Sequence, residues 1–270
     1  MTTGKKAIPP WKEHVDLGRL LNEGAGKFLE EYVHLSADEL ENHVRDIANQ
    51  GWSIKAYPCF AKFLFLQFDL THSPAYEAII RHTQAGGLFL DLGCGLGQDI
   101  RRLAYDGAPG DRLIGLDLVP EFVYLGYQLF RDDATLQSRF LVQDFFEDTP
   151  SMRLFAKKIM AINSGFFMHL WSWKKQLQAA ERMIQLLAPE KGAIVSGIHF
   201  GSHAPGVWDG AIDGFEDMFL HAPETLARLW EEAAAETGSR LKVICVVEEA
   251  DFCKSLDREG CLLRWVVERL

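Results

Sequence analysis

The sequence is short of basic residues, of paired cysteines and of long apolar runs, and each shortage removes a class of function. Lysine and arginine total 28 against 38 acidic residues, a formal net charge of −10. Such a surface repels phosphate backbones and no Lys/Arg-rich stripe offsets it, so no nucleic acid partner is expected. The five cysteines, Cys59, Cys94, Cys245, Cys253 and Cys261, are odd in number and scattered. None are paired at metal-ligand spacing, so they read as reduced thiols of a cytoplasmic protein, and no metal is expected. No apolar stretch is long enough to span a bilayer, so no membrane span is expected. The start of the chain, broken by Pro9-Pro10, has no secretory core.

What the chain does have is apolar material, 48% of its 270 residues. That is enough for one large α/β domain with extra elements, or a domain with a small cap. Residues 1–15 read as a loose polar tail. From Leu17 to about Gln50 the pattern is helical, with Ser36 and Glu39 in capping-box positions at the start of a second helix. Trp52, Ile54, Tyr57, Phe60, Phe63, Phe65 and Phe68 form an aromatic stretch suited to a core or to the wall of an apolar pocket. Residues 74–83 predict another short helix.

From Leu88 the pattern changes. Apolar runs at 88–92, 112–117, 139–143, 157–162 and 192–199 alternate with helical stretches at 97–107, 120–130, 172–188 and 223–236. This alternation predicts an α/β fold with a doubly wound, Rossmann-like, mostly parallel sheet. The last runs, 241–248 and 261–268, have no helical stretch between them and predict an antiparallel terminal pair. A boundary near residue 75 divides an N-terminal helical cap (1–75) from the sheet domain (76–270).

The chemistry gathers at the strand ends. Asp91-Leu-Gly-Cys-Gly-Leu-Gly-Gln98 follows one strand and opens a helix. Gly93, Gly95 and Gly97 let a ligand approach the backbone, and the helix start offers N–H groups to an anion. A glycine-rich turn alone also fits a nicotinamide dehydrogenase, whose pattern is G-x-G-x-x-G. Here the spacing is G-x-G-x-G with an acid two residues before it, which favours S-adenosylmethionine. Asp117 ends the next strand, where a carboxylate suits a ribose diol. Asp144 ends the third and can accept from an adenine amine, with Phe145 or Leu118 packing on the ring. The fourth ends at Asn163, a further cofactor contact, and runs into Phe166, Phe167 and His169. Asn163 lacks the two prolines of an Asp/Asn-Pro-Pro-aromatic amino methyltransferase. The fifth ends at His199, before a loop with His203, Trp208 and Asp213. His169 and His199 are the candidate acid–base groups. Trp52, Tyr57, Phe60, Phe166, Phe167, Trp208 and His221 are candidate substrate contacts. Each has a structural alternative in core packing or a solvated loop.

LDLGCGLGQDIRRLAYDGAP and GLDLVPEFVYLGYQLFRD resemble the fungal class I S-adenosylmethionine-dependent methyltransferases of meroterpenoid-type secondary metabolism. The resemblance continues through HVRDIANQGWSIKAYPCFAKFLFL, FFMHLWSW and LLAPEKGAIVSGIHFG, and covers most of residues 40–202. It implies the class I methyltransferase fold, cofactor contacts at Asp91, Gly93, Gln98, Asp117, Asp144 and Phe145, and an aromatic lid around residues 52–60. It also implies a small apolar acceptor, a carboxylic acid on a terpenoid-like intermediate. One departure lies in the acceptor region: Gly197-Ile-His199-Phe-Gly201 stands where Gly-x-Gln-x-Gly is expected. A hydroxyl, amine or carbon acceptor stays open, as do a methyltransferase-fold cyclase or isomerase, a nicotinamide oxidoreductase, a non-catalytic binding module and a homodimer.

Overall fold

A computed structural model of the chain describes residues 16–210 and 217–270. The expected tail at 1–15 and Asp213 lie outside the described residues.

Nine strands are described: β1 (Leu88–Leu92), β2 (Leu113–Asp117), β3 (Arg139–Val142), β4 (Ile159–Gly165), β5 (Ile194–Ser202), β6 (Gly206–Val207), β7 (Phe219–Leu220), β8 (Leu241–Glu248) and β9 (Gly260–Arg269). Seven form one sheet in the order β3-β2-β1-β4-β5-β9-β8. Strands β1 to β5 pair in parallel, and β9 runs antiparallel to both its neighbours. The terminal pair is therefore antiparallel, as expected. A helix, Asp251–Leu256, lies between its strands where the sequence pattern predicted none. It is less than two turns long, too short for a 3.6-residue period to stand out.

Apolar content follows strand position. All of β2 and β5 is buried, as central parallel strands require, whereas the edge strand β8 alternates half-buried and exposed residues. Pro120 and Pro223 open the helices Pro120–Phe130 and Pro223–Thr237, where a missing N–H costs nothing.

The sheet carries apolar clusters on its two faces. One centres on Trp230 and Trp265, beneath the helices Trp173–Leu186 and Pro223–Thr237. The other packs the helices Tyr76–Gln84 and Gln98–Tyr105. A third cluster joins Leu17 through Phe68 to Phe122, Leu125, Leu129 and Phe130. The N-terminal helices Gly26–Val33 and Ala37–Ile54 thus bury their apolar faces on the helix Pro120–Phe130. Ser36 opens the second of these, and its N–H donates to Glu39 at 3.1 Å. Among the described residues no helix is long and apolar enough to cross a membrane.

Candidate active site

The strand order reverses between β1 and β4, which leaves a crevice at their carboxyl ends. A cavity of about 590 Å³ lies there. It is walled by the ends of β1, β2, β4 and β5, by segment 55–73, and by the helix Asp251–Leu256.

Asp91 is buried on β1. Its Oδ1 accepts from Asn163 Nδ2 at 2.8 Å, while Oδ2 has no partner among the described residues. Burial pushes the Asp91 carboxyl above the usual carboxylate range, against the pull of the Asn163 hydrogen bond. After it the chain turns through Gly93 and Gly95, at φ of +65° and +53°. A Cβ on Gly93 would stand 2.8 Å from the Phe167 ring. Gly95 lines the cavity and has nothing within 4 Å of where a Cβ would be. Its N–H donates to Asp117 Oδ2 at 2.8 Å, and Val119 N–H donates to Asp117 Oδ1 at 2.9 Å. Each Asp117 oxygen keeps a lone pair for a further donor. Burial raises this carboxyl too, opposed by those backbone donors.

Asp144 also lines the cavity, and its Oδ1 accepts from Phe146 N–H at 2.8 Å. That tight turn corrects one expectation: Phe145 points into the core, against Phe146 and Phe167 at ring separations of 5.5 and 5.6 Å. Phe146 lines the cavity instead, together with Leu118, which is 63% exposed. Gln98 and Asn163 line it as well.

Of the expected acceptor residues, the structure brings Tyr57, Phe60, Phe166, Phe167 and His169 to the cavity. Phe166 holds a left-handed φ of +49°, which costs about 1–3 kcal/mol in a non-glycine residue. Its N–H is tied to the Ile198 carbonyl at 2.6 Å. Burial pushes the His169 imidazole down to about 3, so it is neutral at physiological pH.

Trp52, Trp208, His199 and His221 are not on the cavity wall. Trp52 packs with the N-terminal cluster, and Trp208 packs edge-on to Phe200 at 5.4 Å. His199 and His221 are fully buried behind the wall. Both imidazoles are pushed down by burial, His221 to about 4.

Several cavity residues escape sequence reasoning. Asp99 has a buried Oδ1 with no partner among the described residues, and burial together with the Asp91 and Asp69 charges raises it strongly. Arg264 interrupts the otherwise apolar run of β9. It donates to Glu248 at 2.7 and 3.1 Å and to the Asp69 carbonyl at 2.8 Å. Lys55, Phe252 and Leu256 complete the wall and carry no motif.

Residues 12–66 match the family model of a meroterpenoid methyltransferase N-terminal domain, and residues 89–190 match that of a methyltransferase domain. The chain is 34% identical over 226 residues to the Asnovolin E/Chermesin D methyltransferase nvfJ of Aspergillus novofumigatus, covering 83% of this chain and 80% of that protein. It is 34% identical to the O-methyltransferase phiE of a fungal species, covering 84% and 77%. Among solved structures, the methyltransferase domain of bacterial CtHen1 shares the fold at a TM-score of 0.51, with 11% identity over 76% of this chain and 100% of that one.

Proposed function

Because the chain belongs to the family of fungal meroterpenoid methyltransferases, which use S-adenosylmethionine, we propose that its acceptor is the carboxylate of an apolar, terpenoid-like acid. When bound, the cofactor supplies an electrophilic methyl carbon.

The residues of the cavity fit that cofactor. Asp91 Oδ2 and Asp99 Oδ1, buried without partners among the described residues, call for a hydrogen-bond donor, and an amino-acid ammonium is one. Asp117 has lone pairs free for two ribose hydroxyls. Asp144 can accept from an exocyclic amine, and Leu118 and Phe146 offer apolar faces to a purine ring. Gly95 lets the ligand approach the backbone.

The other part of the cavity is apolar and aromatic, walled by Phe60, Phe65, Phe166, Phe200, Phe252 and Leu256. Such a wall takes a fused-ring hydrocarbon and excludes water, and holding two reactants in line supplies most of the rate. His169 carries the choice of acceptor. An imidazole held near 3 is too weak a base to take a hydroxyl proton at neutral pH. A carboxylate has already lost its proton and needs none taken.

Incubation with S-adenosylmethionine and a panel of polycyclic terpenoid acids, with the matching alcohols as controls, tests this. The expected product gains one methyl group, which mild alkali releases as methanol. A methyl group that resists alkali, or an isomer with unchanged mass, contradicts it.

A further inference from the structure

The two edges of the sheet differ. The strand β3 is four residues long and opens on an exposed Arg139, and shortness and charge both blunt an edge. The strand β8 is eight residues long, and among the described residues it pairs with β9 alone. Its outer N–H and C=O groups form a template for another strand.

The two faces of β8 differ as well. Leu241, Val243, Cys245 and Val247 pack against the cluster of Trp230 and Trp265, under the helix Pro223–Thr237. On the opposite face Lys242, Ile244 and Val246 are exposed, the last two at 44% and 52%. Glu248 ends that face. Its carboxylate accepts from Arg264, and 39% of its side chain stays exposed. Large apolar side chains open to water on an unpaired strand mark a place of association.

The order of the residues names the occupant. A second copy can meet β8 across a two-fold axis, in an antiparallel contact that uses the same strand twice. Opposed residues of such a pair share a face of the sheet, so the residue at the axis meets its own copy. Two registers overlap nearly all of β8, with Ile244 or with Cys245 at the axis. With Ile244 there, Lys242 falls opposite Val246, a charge against an apolar group. With Cys245 there, Ile244 falls opposite Val246, Val243 opposite Val247, and Lys242 opposite Glu248. Apolar side chains then meet apolar ones and a base meets an acid, each pair occurring on both sides of the axis. These are the cross-strand pairs that stabilise a sheet.

We propose that β8 is a homodimer interface, at which two copies pair antiparallel about Cys245 and join their sheets into one. Lys242-Val-Ile-Cys-Val-Val-Glu248 complements itself when reversed, which pairing with an unrelated strand would not require. Within each copy Val246 stands opposite Arg264 of the cavity wall. The contact therefore lies one strand away from the site.

Sedimentation of the full chain over a range of concentrations tests this. The expected species at high concentration has twice the 30.5 kDa of one chain. A chain that stays monomeric at its highest soluble concentration overturns the proposal. Ile244→Lys/Val246→Lys sets like charges around the axis and should yield monomers with an unchanged circular dichroism spectrum. A dimer that persists in this folded variant also overturns it. Lys242→Glu sets an acid against Glu248 at both ends, and the dissociation constant should rise about tenfold. A Lys242→Glu dimer as tight as the wild type contradicts the register about Cys245. Should the double variant not fold, the wild-type mass and Lys242→Glu still decide. Lys242, Ile244 and Val246 are not on the cavity wall, so these results leave the carboxylate reading to its own test.

Discussion

Asp117 joins two strand ends at one carboxyl group: Gly95 N–H binds one oxygen and Val119 N–H the other. Asp117→Ala should weaken S-adenosylmethionine binding by about ten- to a hundredfold, since hydrogen bonds to a charged group contribute roughly 1.5–3 kcal/mol. Titration calorimetry checks this, and an unchanged affinity would remove Asp117 from the site. Asp91 gives a pH dependence. Its carboxyl is raised by burial, and only the ionised form attracts a cation. Affinity should therefore fall as pH is lowered from about 8 to about 6, and Asp91→Asn should flatten the profile. In the cofactor-free protein the same shift runs the other way. The stability it contributes is full below the ordinary carboxylate range and is lost as pH rises through the raised folded value. That Asp91, Asp117 and Asp144 line one cavity was legible because each closes an apolar run before a helix or turn. The Phe145 side chain lies in the core and not on the cavity wall, because a sequence does not show which way a tight turn sends consecutive side chains. Asp99 and Arg264 were missed because a buried charge announces itself only when its surroundings are known.

At the scale of elements, the glycine turn is held from behind by a buried ion pair. Arg101 Nε and Nη2 donate to Asp132 at 2.7 and 2.9 Å, and Arg101 Nη1 donates to the Leu96 and Gly97 carbonyls at 2.9 and 3.2 Å. Tyr32, on the helix Gly26–Val33, donates to the same Asp132 at 2.9 Å. One carboxylate therefore links the N-terminal helices to the turn. Asp132→Ala leaves the Arg101 charge buried and unpaired, a loss of about 3–5 kcal/mol. Thermal unfolding should occur roughly 6–20 °C lower in this variant, as the size of the domain implies. A shift of a degree or two would mean that the pair contributes little. The strands were read to within a few residues because their apolar runs are short and bounded. The helix Asp251–Leu256 was not, although it brings Phe252 and Leu256 to the cavity. Its six residues carry one turn of pattern, and its value to the site comes from where β8 and β9 place it.

In the molecule as a whole, the N-terminal segment and the sheet domain share apolar surface. Residues from Leu17 to Phe68 pack on Phe122, Leu125, Leu129 and Phe130 of the helix Pro120–Phe130. Tyr57, Phe60 and Phe65 reach from that segment into the cavity. The division near residue 75 therefore separates two stretches of sequence that we propose fold as one unit. Removing residues 1–75 should leave an insoluble chain, and a soluble monomer with native-like circular dichroism would show the parts to be independent. The central claim is that one cavity holds the cofactor at Asp91, Asp99 and Asp117 and a polycyclic acid against the aromatic wall beside His169. A crystal structure with S-adenosylhomocysteine and such an acid tests it most directly. In that complex the ribose hydroxyls should lie on Asp117, the ammonium at Asp91 and Asp99, and the acid's carboxylate between the thioether sulfur and His169. A ribose held away from Asp117, or an acid bound outside the cavity, would contradict it.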